Sequence, residues 1–373
     1  RWLAGTLGLP GSASGVLTAG GTASNLLGLL LAREHAGVRA GHPIVARGLT
    51  GAADVPRTVI CSAAAHFSVR QAAAVLGLGH DAVVPVATDA AGRLDVADLD
   101  RVLAELAAAG RPPMVIVGTA GTTDTGAVDP LDALADRAVA IGAWFHVDAA
   151  VGSAFVLSPR LAPRLRGIER ADSITADFHK LWFQPIGASA LVVADAASFA
   201  TIRLHADYLN REEDEADGVL NLVTRSLDTS RRFDALKVLL ALRTAGRERL
   251  AAAVEHLVDL ATAAGELVAA HPDLELVRPP QTVTCLFRVQ PSGCAPDERD
   301  ALNGSVPRAL FDSGRAVVGR TRVDGRPCLK FTFVNPAMTA ADVADLLDLV
   351  AQEAGRQAGA VTAGERPTAG VPA

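Results

Sequence analysis

Through the first half of this chain, short apolar runs alternate with longer amphipathic stretches, and that alternation constrains the fold more than any other feature. Runs of strand length and character fall at 57–62, 82–86, 114–117, 144–147, 173–176 and 188–193. Among them, apolar residues recur at helical spacing over 64–76, 96–108 and 130–141, after an earlier helical pattern at 26–33. Repeated strand–helix–strand units predict a parallel α/β sheet. The pattern changes beyond Asp228. Two helical stretches, 233–244 and 247–270, lead into a smaller α+β unit with strands at 274–277 and 284–289 and a hairpin marked by Asp324-Gly325. Thr339-Ala340-Ala341-Asp342 caps a last helix that runs to about Gly355. A chain of 373 residues is long for one core. The expected layout is a large domain over 1–235, a small C-terminal domain over 236–357 and an Ala/Gly/Pro-rich tail, 358–373, with too little to bury to stay ordered.

Polar residues gather where the strands end, which is the edge where α/β sheets place ligands. The run 173–176 stops abruptly in Asp177-Phe178-His179-Lys180. Lysine is scarce here: Lys180, Lys237 and Lys330 are the only three, and every other cationic side chain is arginine. Arginine stays protonated, whereas a lysine amine can lose its proton and attack an aldehyde. Lys180 is therefore a candidate Schiff-base lysine for pyridoxal phosphate, the alternative being a surface lysine at a strand end. Gly15 to Asn25 reads G-V-L-T-A-G-G-T-A-S-N before a helix. Such a start turns backbone N–H groups and the positive helix end toward an anion, with Thr22 and Ser24 adding hydroxyls. It is either a phosphate site or an ordinary glycine-rich turn. It is not a Walker loop, since no Gly-Lys-Ser/Thr follows. His66 sits where a strand hands over to a helix, placed to lie on an aromatic ring, to cap the helix or to fill core. Asp148 closes the run His146-Val147-Asp148, and a carboxylate there can keep a pyridinium nitrogen protonated. His146, Asp148 and His179 as metal ligands is the competing reading, but no third ligand has the usual spacing.

Bulk properties exclude several classes. The net charge of −6 comes with no basic stripe, which argues against a nucleic-acid surface. No run approaches the ~20 apolar residues of a membrane span. Cys61, Cys285, Cys294 and Cys328 lack metal-ligand or disulfide spacing, which fits a reducing cytoplasm. There is no signal-peptide pattern. The chain opens at Arg1 without a methionine, the start expected of a fragment or processed form.

The glycine motif of 15–25, A-H-F-S-V at 65–69, G-T-T-D-T-G-A-V-D-P at 121–130, H-V-D-A-A at 146–150 and D-F-H-K at 177–180 occur in one order. Together they resemble the pyridoxal-phosphate-dependent group II decarboxylases, the family of aromatic amino acid, glutamate, histidine and 2,4-diaminobutyrate decarboxylases. The resemblance extends over 15–349. It implies an aspartate-aminotransferase-like, type I pyridoxal-phosphate fold: a large domain with a mostly parallel seven-stranded sheet and a small α+β domain. It also implies that Lys180 holds the cofactor, His66 stacks on its ring, Asp148 pairs with the ring nitrogen and Ala150 packs beneath it. Gly21, Thr22 and His179 would approach the phosphate, and Thr122 would lie near cofactor and substrate. Many relatives carry Asn-Pro-His-Lys where this chain has Asp177-Phe178-His179-Lys180, and the version here resembles the diaminobutyrate and siderophore-type lysine decarboxylase branch. A carboxylate beside a phosphate is unfavourable, so Asp177 receives no role.

The segment 203–218 is polar, lacks helical or strand period and holds the chain's one tyrosine, Tyr208. Charge-dense loops are usually solvated. The resemblance instead implies a mobile loop whose Tyr208 protonates Cα after carbon dioxide leaves, a task suited to a phenol that stays protonated at neutral pH. Its acids (Asp207, Glu212, Glu213, Asp214, Glu215 and Asp217) either keep the loop soluble or favour a cationic diamino acid: 2,4-diaminobutyrate, lysine or ornithine. The expected reaction is decarboxylation of an L-amino acid to its amine. An aromatic or acidic substrate, transamination, or a truncated cofactor-binding remnant are the alternatives. The family also implies a cytoplasmic homodimer whose N-terminal arm, of about a hundred residues, precedes the equivalent of Arg1.

Overall fold

The computed structural model describes residues 1–362. The chain divides into two compact units, one of residues Arg1–Thr123 and Ala127–Val254, the other of Asp124–Gly126 and the chain from Glu255 on. The division falls within the helix Gly246–Ala270, whereas the sequence reading drew it at 235/236.

Seven strands form the sheet of the first unit: β1 Ser14–Thr18, β2 Thr58–Ser62, β3 Val83–Val86, β4 Pro113–Thr119, β5 Trp144–Asp148, β6 Ser173–Asp177 and β7 Ser189–Val193. Their order is β1-β7-β6-β5-β4-β2-β3. Only β7 runs against its neighbours β1 and β6; every other pairing is parallel. Six strands therefore end at one edge. β2, β5, β6 and β7 are buried at every position, the signature of strands covered on both faces. The helix Gly21–Arg39 lies against β5, β6 and β7, and its Leu27, Leu29, Leu30 and Leu31 enter the core with Val16, Val115 and Leu191. Its approach requires Gly28: a Cβ there would stand 2.7 Å from Cε1 of His146.

The expected elements are present, with additions that include the short helices Trp2–Thr6 and Ile44–Arg47. β1 had been taken for part of the glycine motif. Residues 203–218, expected to lack period, contain a short helix, Glu212–Ala216. In the second unit the helix Pro296–Asp312 was not anticipated, because Gly304 and Pro307 interrupt its pattern. That unit carries an antiparallel sheet of β8 Leu274–Arg278, β9 Thr284–Val289, β10 Gly319–Val323 and β11 Arg326–Thr332, in the order β10-β11-β9-β8. Asp324 and Gly325 both have positive φ, 53° and 77°, as the two-residue hairpin requires. The last helix is capped as expected, with Asp342 accepting from the Thr339 N–H at 2.7 Å. It continues to Thr362, past the expected end near Gly355 and into the stretch predicted to be a disordered tail. The rest of that tail, 363–373, lies outside the described residues.

Candidate active site

The strand ends converge on a cavity of about 270 Å³ in the first unit. Lys180 and His179 reach it from the turn after β6, Asp148 and Ala150 from the end of β5, and His66 from the turn after β2. Gly21 and Thr22 reach it from the start of the helix that follows β1. Seven of the nine residues picked from sequence therefore meet. Thr122 and Tyr208 do not line the cavity.

The turn bearing Lys180 is anchored by buried aromatic residues on either side. Phe178 and Trp182 pack edge to face, and Trp182 Nε1 donates to Ser153 Oγ at 3.1 Å. The Gln184 N–H closes the turn on Phe178 O at 3.0 Å. Lys180 Nζ lies 3.1 Å from Asp177 Oδ2, and His179 Nε2 is 3.6 Å from the same oxygen. His179 Nδ1 donates to Ala188 O at 3.0 Å, which leaves its Nε2 edge toward the cavity. Asp177 is buried, and its other oxygen accepts from the Ser189 hydroxyl. The carboxylate that received no role from sequence is thus the counter-ion of the turn. It also explains Gly21, where a Cβ would crowd both Asp177 oxygens at 3.0 Å.

The helix Gly21–Arg39 starts at Gly20 with no side-chain cap and no acid in its first turn. Its first backbone bond runs from Ser24 N–H to Gly20 O, so the amides of Gly21, Thr22 and Ala23 have no acceptor within the helix. Ser24 is buried and bonded to Thr18 Oγ1 at 2.6 Å, so of the two hydroxyls in this motif only that of Thr22 reaches the cavity.

Asp148 is nearly inaccessible and sits in a polar network. Its Oδ2 accepts from Asn25 Nδ2 at 2.8 Å, and its Oδ1 from the Ala150 N–H at 3.1 Å. The same Asn25 nitrogen donates to Ser68 Oγ at 2.9 Å, and Ser68 Oγ meets His66 Nδ1 at 2.8 Å. Asn25 Oδ1 accepts from the Thr175 hydroxyl at 2.7 Å and faces His146 Nε2 at 3.1 Å. His146 Nδ1 is 2.7 Å from Ser173 Oγ. Complete burial pushes the His146 pKa down to about 4, with Asp148 opposing. With both nitrogens engaged, His146 is a neutral structural histidine rather than a metal ligand.

Thr122 Oγ1 accepts from the Ala127 N–H at 3.0 Å, turned away from the cavity lining. Thr119, paired with Asp148 across β4 and β5, lines the cavity instead. Its Oγ1 is buried without a partner. Sequence reasoning passed over Thr119 because it read β4 as ending at Val117. Asn25 and Ser68 were quoted within motifs without roles.

The family profile of the pyridoxal-dependent decarboxylase conserved domain matches residues 1–290. The chain belongs to the pyridoxal-dependent decarboxylases. It is 43% identical over 346 residues to the L-2,4-diaminobutyrate decarboxylase of Rhizobium meliloti, covering 93% of this chain and 67% of that protein. Identity to the L-2,4-diaminobutyrate decarboxylase of Acinetobacter baumannii is 39%, over 97% of this chain and 72% of the relative. Among solved structures, the glutamate decarboxylase domain of the diaminobutyrate-pyruvate transaminase and L-2,4-diaminobutyrate decarboxylase from Vibrio parahaemolyticus superposes with a TM-score of 0.84. The two share 38% identity over 95% of this chain and 71% of that one. This pyridoxal-dependent decarboxylase has the type I fold and decarboxylates an amino acid with pyridoxal phosphate as cofactor. The cavity fits that group: it offers a lysine amine, a buried carboxylate, uncapped first-turn amides and an unpartnered threonine hydroxyl. Among the described residues, no helix is long and apolar enough to cross a membrane.

Proposed function

We propose that this decarboxylase acts on a diamino acid, namely 2,4-diaminobutyrate, lysine or ornithine, using Lys180, Asp148, His66 and Tyr208. The convergence of the Lys180 amine, the Asp148 carboxylate and the His66 ring on one cavity carries the assignment of roles. When bound, pyridoxal phosphate supplies a ring that takes up the electron pair left on Cα as carbon dioxide departs. Lys180 holds the cofactor through its amine, and Asp177 keeps that amine in place beforehand. Asp148 accepts a hydrogen bond from the protonated ring nitrogen. His66 covers one face of the ring and Ala150 the other. The amides at Gly21 and Thr22, the Thr22 hydroxyl and His179 hold the phosphate. Thr119 offers its hydroxyl where Thr122 had been expected. Tyr208 gives its proton to Cα of the substrate. It is 90% exposed, so its segment must reach the cavity by moving.

The relatives that act on diaminobutyrate, together with the acids at Asp207, Glu212, Glu213, Asp214 and Asp217, support a cationic side chain on the substrate. Only an acid that closure removes from water discriminates strongly. We also read the protein as a homodimer. Val219, Leu220, Leu227, Phe233, Leu239 and Leu240 are all exposed within 219–240, an apolar density that marks an interaction surface. Full-length protein is assayed against diaminobutyrate, lysine, ornithine, glutamate, aspartate, tyrosine and tryptophan, and its mass is measured by sedimentation. Preference for an acidic or aromatic substrate rejects the diamino-acid reading, and a fully active monomer rejects the dimer.

A further inference from the structure

We infer that Asn25 is a positioning residue: its side-chain amide aims the Asp148 carboxylate and, through Ser68, fixes the ring of His66. The inference rests on the reading that Asp148 pairs with the cofactor's ring nitrogen.

The donor directions can be worked out bond by bond. Trp144 Nε1 can only donate, and it meets Ser173 Oγ at 2.8 Å, so the Ser173 hydroxyl proton is free for His146 Nδ1. His146 is neutral, so its proton lies on Nε2 and is given to Asn25 Oδ1. The Thr175 hydroxyl donates to the same oxygen. These two donors fix the orientation of the amide. The Asn25 NH2 then faces two acceptors, Asp148 Oδ2 and Ser68 Oγ. The reverse orientation would set an amide oxygen against a carboxylate. Ser68, having accepted from Asn25, passes its own proton to His66 Nδ1, which its backbone N–H also approaches at 3.3 Å. His66 is thereby set with Nδ1 as acceptor and the proton on Nε2.

Asn25 is thus the branch point of a one-way chain of donors that starts at Trp144 on β5. It ends at the two groups proposed to grip the cofactor ring, one at its edge and one on its face. Asn25 is 1% exposed and stands at the wall of the cavity. Its N–H bond to Asp148 Oδ2, at 2.8 Å, fixes the direction of the carboxylate. A hydrogen bond to a charged acceptor is stronger than one between neutral groups.

The test compares two ligands that differ only at the ring nitrogen. Full-length protein stripped of cofactor is titrated with pyridoxal phosphate and with its 1-deaza analogue, in which C–H replaces that nitrogen. Wild type is expected to prefer pyridoxal phosphate by roughly tenfold or more, the worth of a charged hydrogen bond. Asn25→Ala is expected to lose most of that preference, on top of any weakening that the freed His66 ring causes equally for both ligands. Equal weakening of both ligands, with the preference kept, overturns the inference, because Asn25 would then serve only the fold. A wild type with no preference overturns the Asp148 reading itself, and the inference with it. Should Asn25→Ala not fold by circular dichroism, the nearly isosteric Asn25→Leu, which has no N–H to give Asp148, carries the test. Preference retained in that variant overturns the inference as well.

Discussion

Gly28→Ala adds one methyl group to the helix Gly21–Arg39 and should destabilise the protein, although alanine is the better helix former. The helical gain is about 1 kcal/mol. Against it, the new Cβ would stand 2.7 Å from Cε1 and 2.8 Å from Nδ1 of His146, with Leu191 Cδ1 at 3.4 Å. His146 cannot swing away, because Ser173 and Asn25 hold its two nitrogens and it is wholly buried. Overpacking of this kind costs about 1–3 kcal/mol. If the ring shifts and one buried bond breaks, about 1–3 kcal/mol more is lost. The expected net change is a destabilisation of roughly 1–5 kcal/mol, read as a lower urea midpoint at unchanged slope. Gly355→Ala is the control. It lies in the last helix with nothing within 4 Å of its built Cβ, and should raise stability by about 0.5–1 kcal/mol. A Gly28→Ala protein as stable as wild type would refute the close-packing account of the helix–sheet contact.

Two further outcomes follow from the site and its supports. His146 has its pKa lowered to about 4 by burial, so the unfolded chain binds the extra proton and this group costs stability as pH falls from about 6.5 toward 4. Buried Asp129, raised to about 6, works in the opposite sense: the folded state keeps its proton, which favours folding as pH falls toward 4. Asp129→Asn should therefore steepen the loss of stability between these values in pH-dependent urea titrations; a shallower loss would contradict burial as the cause. Tyr208→Phe should still release carbon dioxide but divert product to aldehyde, ammonia and peroxide in the presence of oxygen. Unchanged amine yield by product analysis would remove Tyr208 from the reaction.

The strand–helix alternation made the large sheet legible because buried parallel strands are continuous apolar runs. β1 escaped it: Gly15 looks like loop, yet a Cβ there would lie 2.6 Å from Leu191 O, so glycine is what the close antiparallel pairing with β7 requires. The helix Pro296–Asp312 was hidden by its own glycine and proline. Site residues carried by a strand end or a helix start could be found because their chemistry is unusual where they stand, as with Lys180 among arginines. The network under Asp148 could not. Asn25 lies 123 residues from Asp148 and 150 from Thr175, and only the folded sheet brings them within hydrogen-bond reach. Thr119 and Thr122 are separated by the register of β4, which neither composition nor spacing reveals. Asp177 was left without a role for a related reason: the partners it shares with Lys180 and Ser189 exist only once β6 and β7 pair.

The central claim is that Lys180 is the residue that carries the cofactor in this decarboxylase. Full-length protein loaded with pyridoxal phosphate is reduced with borohydride, digested and mapped by mass spectrometry. The account predicts the pyridoxyl label on Lys180, with the visible absorbance of the loaded protein lost in Lys180→Ala. Label on Lys237 or Lys330 in place of Lys180 would contradict it.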